Sequence, residues 1–598
     1  MSVPGGRPHG PPAAELQDLA VAGGSPPPGF AASPPVSSPP VRRPWARAAV
    51  LIAAITMLAR VIGFARQLVF AHTVGAQCIG TAYTTANMVP NIIYDVVLGG
   101  ALTAVVVPVL AGSASPALVR QTSSALLTWA VLLLAPVSAA VAVAAQPLVS
   151  LLLGHATGCR RASMVTISGH MLTVFAPQIL LYGLAVVLYG ILQAHRRFAA
   201  PALAPVLSSL VVIATYAWFG ADGYGGDHLA LPARAWIILA VGTTVGVLAL
   251  VVTPLGPVLR LRLGLRPTLW FPPGVGARVR SLAVAGIVTL IAQDASTVVV
   301  IVLANARGGG DGALVLYSFA WAVFFLPYAV LAVPIATSAF PELSATAPPI
   351  PGTSPAVPDA ALAVPDAALA VPDAAPAVSY DDNLSAFDRI CAASSRAVLV
   401  VSWLGAAGMA GVCIPLSRVF ESHADQAADA RALALALVLF APGLIGYGLL
   451  AHLSRVLYAY GRNRAAAVAV SCGWVLVVVA DLLIVPFVPP SWVVPVLGAG
   501  TSIGLTCGGL ALLVLVRRYR GAAALDGCAR ACAAGLAAAI AGSCAGLLLT
   551  AAVRLRGYLP NAGMTLLCSA VVVVVFGAVM LALDGGDLRA VLRKVVRS

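Results

Sequence analysis

Fourteen separate runs of about twenty or more mostly apolar residues constrain this chain more than any other feature. They lie at 47–72, 80–111, 122–154, 165–193, 199–219, 231–255, 279–305, 313–341, 389–413, 431–459, 465–488, 493–516, 527–553 and 560–584. In a bilayer the backbone must satisfy its own hydrogen bonds, so each run predicts a helix and the fold class is all-α polytopic membrane protein. Composition agrees. The 598 residues are 60% hydrophobic and 9% charged, with mean hydropathy +0.96, whereas soluble domains are about a quarter charged.

The net charge of +14 would suit nucleic-acid binding, but arginines at the cytoplasmic ends of many helices give the same sum. With both termini inside, the inner loops hold Arg196, Arg197, Arg260, Arg262, Arg266, Arg278, Arg280, Arg462, Arg464, Arg517, Arg518 and Arg520. The outer loops hold fewer: Arg160, Arg161, Arg234, Arg307, Arg418, Arg554 and Arg556. No nucleic-acid partner is expected; the bilayer is.

The spans and loops set the layout. Residues 1–46, rich in Pro, Gly, Ala and Ser, read as a disordered cytoplasmic tail. An N-lobe of six helices occupies 47–255, and a basic cytoplasmic loop 256–278. The C-lobe begins over 279–342 and resumes over 389–516. Between them, 343–388 carries the seven-residue repeat "AVPDAALAVPDAALAVPDAAP", whose prolines break any helix, so it reads as a disordered linker. Two further helices fill 527–584, and 585–598 is a basic cytoplasmic tail.

Charge inside the spans is where function is sought. Arg60 falls near the middle of the first run, where a charge costs a few kcal/mol or more unless it faces water or a partner. Arg66 lies about 9 Å further along and about 120° around the helix, so the two predict a broad cavity wall. Gly63 and Gln67 share the face of Arg60. Further intramembrane candidates are Asp95, Gln293, Asp294, His452, Arg455 and Asp481. Asp95 and Asp294 read equally well as parts of an ion pathway or as internal partners, for example Asp95 with Arg60 or Arg66. Asp481 reads as internally paired. Arginine's planar, permanently charged fork suits a phosphorylated or pyrophosphorylated substrate and suits a cationic drug poorly.

Glycine and proline interrupt several runs: Pro90 with Gly99 and Gly100, Pro177 with Gly183, Pro327 with Pro334, and Pro442 with Gly443 and Gly446. Such breaks suit a transporter, or ordinary kinked packing. The ten cysteines form no C-x-x-C pair; Cys528 and Cys532 lack companion ligands, so no metal is expected and buried small hydrophobes are the default. Asp222 and Asp227 make a weak case for a membrane glycosyltransferase.

"ARVIGFARQLVFAHTVGA" (59–76) and "TANMVPNIIYDVVLGGALTAVVVPVLA" (85–111) together resemble the start of the MurJ (MviN) lipid II flippases, within the flippase/multidrug exporter (MOP) superfamily. "APQILLYGLAVVLYGILQAHRRFAAPALAPVLSS" (176–209) and "YGLLAHLSRVLYAYGRNR" (447–464) are similar to further family helices, and the resemblance is to the actinobacterial branch. It implies two six-helix lobes around a cationic cavity, with two extra C-terminal helices. It implies that lipid II, an undecaprenyl-pyrophosphate-linked peptidoglycan precursor, crosses from the inner to the outer leaflet of the bacterial plasma membrane by alternating access. No bond is made or broken, so this is a transporter and not an enzyme. Of the family's cavity arginines only Arg60 and Arg66 carry over; the candidate cavity residues of this chain are Arg60, Arg66, Asn91, Gln293 and Arg455, with Asp95 and Asp294 for ion binding or internal pairing. No cofactor is implied; membrane potential and a monovalent cation are both open as drives. Cell-wall synthesis and division proteins are candidate partners. The family's basic pair after Pro-Asn is Tyr94 and Asp95 here, its acidic residue before that helix is Thr81, and its arginine in helix eight falls near Trp321 and Ala322. These departures keep open a flippase for another polyprenyl-linked glycan or a divergent paralogue, and a non-transporting scaffold.

Overall fold

The computed structural model describes residues 43–96, 116–154, 160–195, 197–224, 232–271, 275–308, 312–347, 380–420, 427–553, 555 and 557–597. By its contacts the chain divides into two units, residues 1–48 and 49–598, and the second is the helical body. The described residues contain no strand.

The first two spans are α1 (Arg43–Thr73) and α2 (Cys78–Val96). The third is split into α3 (Pro116–Val143) and α4 (Ala145–Leu153), the fourth into α5 (Arg161–Phe175) and α6 (Pro177–Ala194). Next come α7 (Ala199–Ala221), α8 (Ala233–Leu259) and α9 (Val275–Arg307). The eighth span is α10 (Ala313–Pro327), a π-turn over Tyr328–Ala332, and α11 (Val333–Thr346). Then follow α12 (Tyr380–Val419), α13 (Ala427–Phe440) and α14 (Gly443–Ala459). The chain closes with α15 (Asn463–Ile484), α16 (Val493–Arg520), α17 (Cys528–Ala552) and α18 (Tyr558–Arg597).

Twelve described helices are long and apolar enough to cross a membrane, or thirteen if α13 and α14, bent by 44°, form one span. The remaining expected span, 80–111, is helical over Cys78–Val96; residues 97–115, with Gly99 and Gly100, lie outside the described ones. The linker expected over 343–388 is shorter at both ends. Helix α11 runs to Thr346 and α12 starts at Tyr380, because apolar run length marks the slab a helix crosses and not where the helix stops. The repeat itself lies outside the described residues, as does the tail up to residue 42. The basic tail is helical too: α18 continues to Arg597, past a non-helical residue at Asp584 whose carboxylate sits 3.1 Å from Arg530.

The cysteine expectation needs correction. Cys78 is disulfide-bonded, which suits the oxidising side of the membrane. Cys472, Cys507 and Cys544 are exposed on helix faces, not buried.

Three packing features position the site. First, aromatic residues from both lobes meet at the end expected to face outward. Phe70 of α1 lies 6.2 Å from Phe319 of α10, which stacks at 4.7 Å on Phe420 beyond α12. Nearby, Asn305 of α9 donates to Thr85 of α2 at 3.1 Å and to the Leu152 carbonyl of α4 at 3.0 Å.

Second, α14, α15 and α16 touch backbone to backbone. A Cβ on Gly446 would collide with Leu505 and Thr506, and one on Gly473 would press on Gly504 and Gly508. The glycines near Pro442 therefore serve close packing.

Third, Arg520 at the end of α16 forks onto Asp388 of α12, at 2.9 Å and 2.8 Å. Phe387 and Tyr460 lie against the guanidinium, with ring centroids 5.6 Å and 5.4 Å away.

The expected basic loop is a fixed strap. After α8, Leu261, Leu263, Leu265 and Phe271 pack on a cluster that includes Leu126, Leu188 and Leu192. The strap's backbone is bonded to α3: Arg266 N–H to Ser124 Oγ (3.2 Å), Thr268 N–H to Thr128 Oγ1 (3.1 Å), and the Leu269 carbonyl to Trp129 Nε1 (3.1 Å).

Candidate substrate cavity

A cavity of about 640 Å³ lies between α1, α2 and α6–α10, with α15 and α16 also contributing lining residues. Arg60, Arg66 and Gln67 line it from α1. The broad wall expected from helical geometry is therefore what α1 presents. Gly63, expected on the same face, is not among the lining residues. Arg60 is exposed and reaches across to α10, its guanidinium 5.2 Å from the centroid of Phe325.

The second wall is α2. Its Thr84, Asn87, Asn91 and Asp95 line the cavity, three or four residues apart and so on one helical face. Asn91 accepts from the Tyr182 hydroxyl at 3.0 Å, and Tyr182 packs on Tyr94 at 4.3 Å. Asn87 Oδ1 is buried without a partner, as is the hydroxyl of Tyr189, another lining residue. At the expected outer end Tyr83 shares hydrogen bonds with Tyr216 and Thr243, both 2.8 Å. Phe70, Phe319 and this trio close that end.

Helix α9 contributes Gln293, Ser296 and Thr297. Asp294 does not join them: consecutive helical residues are 100° apart, and it is buried with Oδ2 unpartnered. Arg455 is also absent from the lining; its guanidinium donates back to the Ala451 carbonyl of its own helix. Neither arginine of α1 makes an ion pair with Asp95 among the described residues, so the internal pairing considered for it is not formed. The pairing expected of Asp481 is not formed either: its carboxylate is fully buried against Gly500, and neither oxygen accepts a hydrogen bond. His452 is buried, its Nε2 3.1 Å from Ser394 Oγ.

The third wall is aromatic. Tyr317 and Trp321 of α10 line the cavity with their rings nearly parallel, 12° apart. Behind Trp321 stand Phe324, Phe440 and Tyr447. Sequence reasoning missed Asn87, Tyr83, Tyr182, Ser296 and Thr297. The signal was there: polar residues at i, i+3 and i+4 on otherwise apolar spans two and seven. Chemically, two permanent cations, amide and hydroxyl donors and one carboxylate share a chamber closed at one end. No group of three or more His, Cys, Asp or Glu suited to a metal occurs among the described residues.

Comparison with known proteins gives a consistent picture. The family model "Lipid II flippase MurJ" matches residues 70–352 and 365–581. A lipid II flippase MurJ of Burkholderia cenocepacia is 30% identical over 206 residues, covering 33% of this chain and 37% of that relative, so the match spans well under half of its length. Among solved structures, a lipid II flippase MurJ in an inward closed conformation aligns with TM-score 0.65 and 16% identity, over 89% of this chain and 99% of that one. An inward-facing multidrug resistance MATE transporter of the MOP superfamily aligns with TM-score 0.60 and 12% identity, over 79% and 98%. These two structures speak to the fold.

Proposed function

We propose a function from one premise: this chain belongs to the lipid II flippase MurJ family. It is a multi-pass membrane protein. In our reading it carries lipid II from the inner to the outer leaflet of the bacterial plasma membrane, with both termini cytoplasmic. The observation that carries this is the pair Arg60 and Arg66 on one wall of a closed-ended polar cavity. A pyrophosphate entering there meets two guanidinium forks, each able to donate two hydrogen bonds to phosphate oxygens. Asn87, Asn91, Gln293 and Ser296 supply uncharged partners for sugar hydroxyls. The polyprenyl tail stays in lipid, where its transfer costs nothing.

Flipping then needs the Phe70–Phe319–Phe420 contact to part while the inner side closes. No bond changes. Two states of a few kcal/mol difference, biased by cargo, suffice for alternating access. The drive, membrane potential or a monovalent cation, belongs to the same proposal; collapse of each gradient separately would identify it.

The decisive experiment is lipid II accessibility at the outer face of cells depleted of this protein. We expect accessibility to fall on depletion and to return with the wild-type chain. Unchanged accessibility, with another polyprenyl-linked glycan accumulating inside, would favour the second reading. That reading is motivated by Asp95, a carboxylate facing the same cavity as the arginines.

A further inference from the structure

We propose that the strap over 260–271 is a docking rail for anionic phospholipid headgroups of the membrane surface it faces. Such a rail is independent of the cargo. Along the strap exposure alternates: Leu261, Leu263 and Leu265 turn inward, while Arg260, Arg262 and Arg266 are exposed. Arg120 of α3, also exposed, runs beside Gly264. None of these four arginines has an ion-pair partner among the described residues. Their neighbours at the end of α8 and on the strap are apolar and outward: Leu259 is 65% exposed, Leu269 51% and Trp270 80%.

A rim of unpaired guanidinium groups beside an exposed tryptophan matches a membrane interface. Phosphates take the forks there, and an indole ring settles at headgroup depth. An acidic soluble partner would explain the arginines but leave Trp270 and the two leucines in water.

The backbone adds a second, independent sign. Arg262 has φ 47°, in the left-handed region, where an L side chain is strained and glycine or asparagine is not. It lies in the turn that ends α8, with its N–H on the Leu259 carbonyl at 3.1 Å. A side chain held at a strained position points to a use outside the fold. The backbone bonds to Ser124, Thr128 and Trp129 fix the strap, and Gln121 holds the Trp270 carbonyl at 3.3 Å. The arginines are therefore presented with no backbone ordering cost on binding, only that of their own side chains.

The test uses the full chain, solubilised and titrated with phosphatidylglycerol or phosphatidylcholine, with bound lipid read by native mass spectrometry. Each arginine at an anionic surface contributes about fivefold, so the triple variant R260Q/R262Q/R266Q should lose at least about tenfold of the preference for phosphatidylglycerol while its melting temperature is kept. Arg262→Gly should raise the melting temperature and still weaken that preference. A wild-type chain without the preference, or a triple variant that retains it, overturns the proposal. So does an Arg262→Gly protein that melts lower, which would mark the arginine as structural.

Discussion

The two walls of the cavity are built on opposite principles. On the N-lobe side, α1 and α2 present Arg60, Arg66, Asn87, Asn91 and Asp95, with few partners among themselves. On the C-lobe side, Tyr317 and Trp321 back onto Phe324, Phe440 and Tyr447 in a packed aromatic block. One wall leaves Asn87 Oδ1 without a partner and forms no ion pair between its arginines and Asp95 among the described residues, as a site does that expects partners from a ligand. The other has its ring contacts already made. On the function proposed above, the N-lobe wall supplies the charges of recognition, while the C-lobe side adds this aromatic block beside the polar face of α9, and the two should respond differently to substitution.

The largest expected effect is Arg66→Ala, which should abolish complementation of a flippase-depleted strain while the protein still inserts. Arg66→Lys should restore only part of the activity, since an ammonium cannot fork onto phosphate. Normal growth with the alanine variant would remove the role assigned to this wall. On the other wall, Phe440→Ala should cost about 3–5 kcal/mol of stability, seen as a lower melting temperature, because Phe440 is fully buried. Loss of lipid II binding without loss of stability there would blur the distinction. Asp95→Asn removes a repelling carboxylate from the arginines' chamber, so binding of a pyrophosphate lipid should tighten roughly severalfold. Weaker binding would make Asp95 a contributor to recognition. The smallest effect is Tyr182→Phe. It removes one hydrogen bond to Asn91, worth about 1 kcal/mol of stability, so the melting temperature should fall slightly while the half-saturating lipid concentration rises.

Much of this architecture is legible in the sequence. Apolar run length places the helices, since a bilayer leaves the backbone no alternative. Arg60, Arg66 and Gln67 are legible as one wall because α1 is regular and its charges have nowhere else to go. Asn91, Asp95 and Gln293 also reach the cavity. Arg455 and Asp294 do not, and the reason is rotational. A single polar residue on an apolar helix has no stripe to fix which way it faces, and only the neighbouring helices decide. The stripe Gln293–Ser296–Thr297 would have separated Gln293 from Asp294. The strap is illegible for a different reason: its arginines announce a loop, while the bonds that pin it run to side chains of α3, about 140 residues away in sequence.

The glycine seam joining α14, α15 and α16 has a mechanical consequence. Helices that touch through Gly446, Gly473, Gly504 and Gly508 leave no side-chain layer to slide over. The three behave as one lever arm, stiff along its length. Whatever displacement the transport cycle demands must then be taken up elsewhere, at the 44° break before α14 or along the faces of α1 and α2. Reporter pairs placed inside the seam should read one constant distance throughout the cycle, and pairs placed from the seam to α1 should read two.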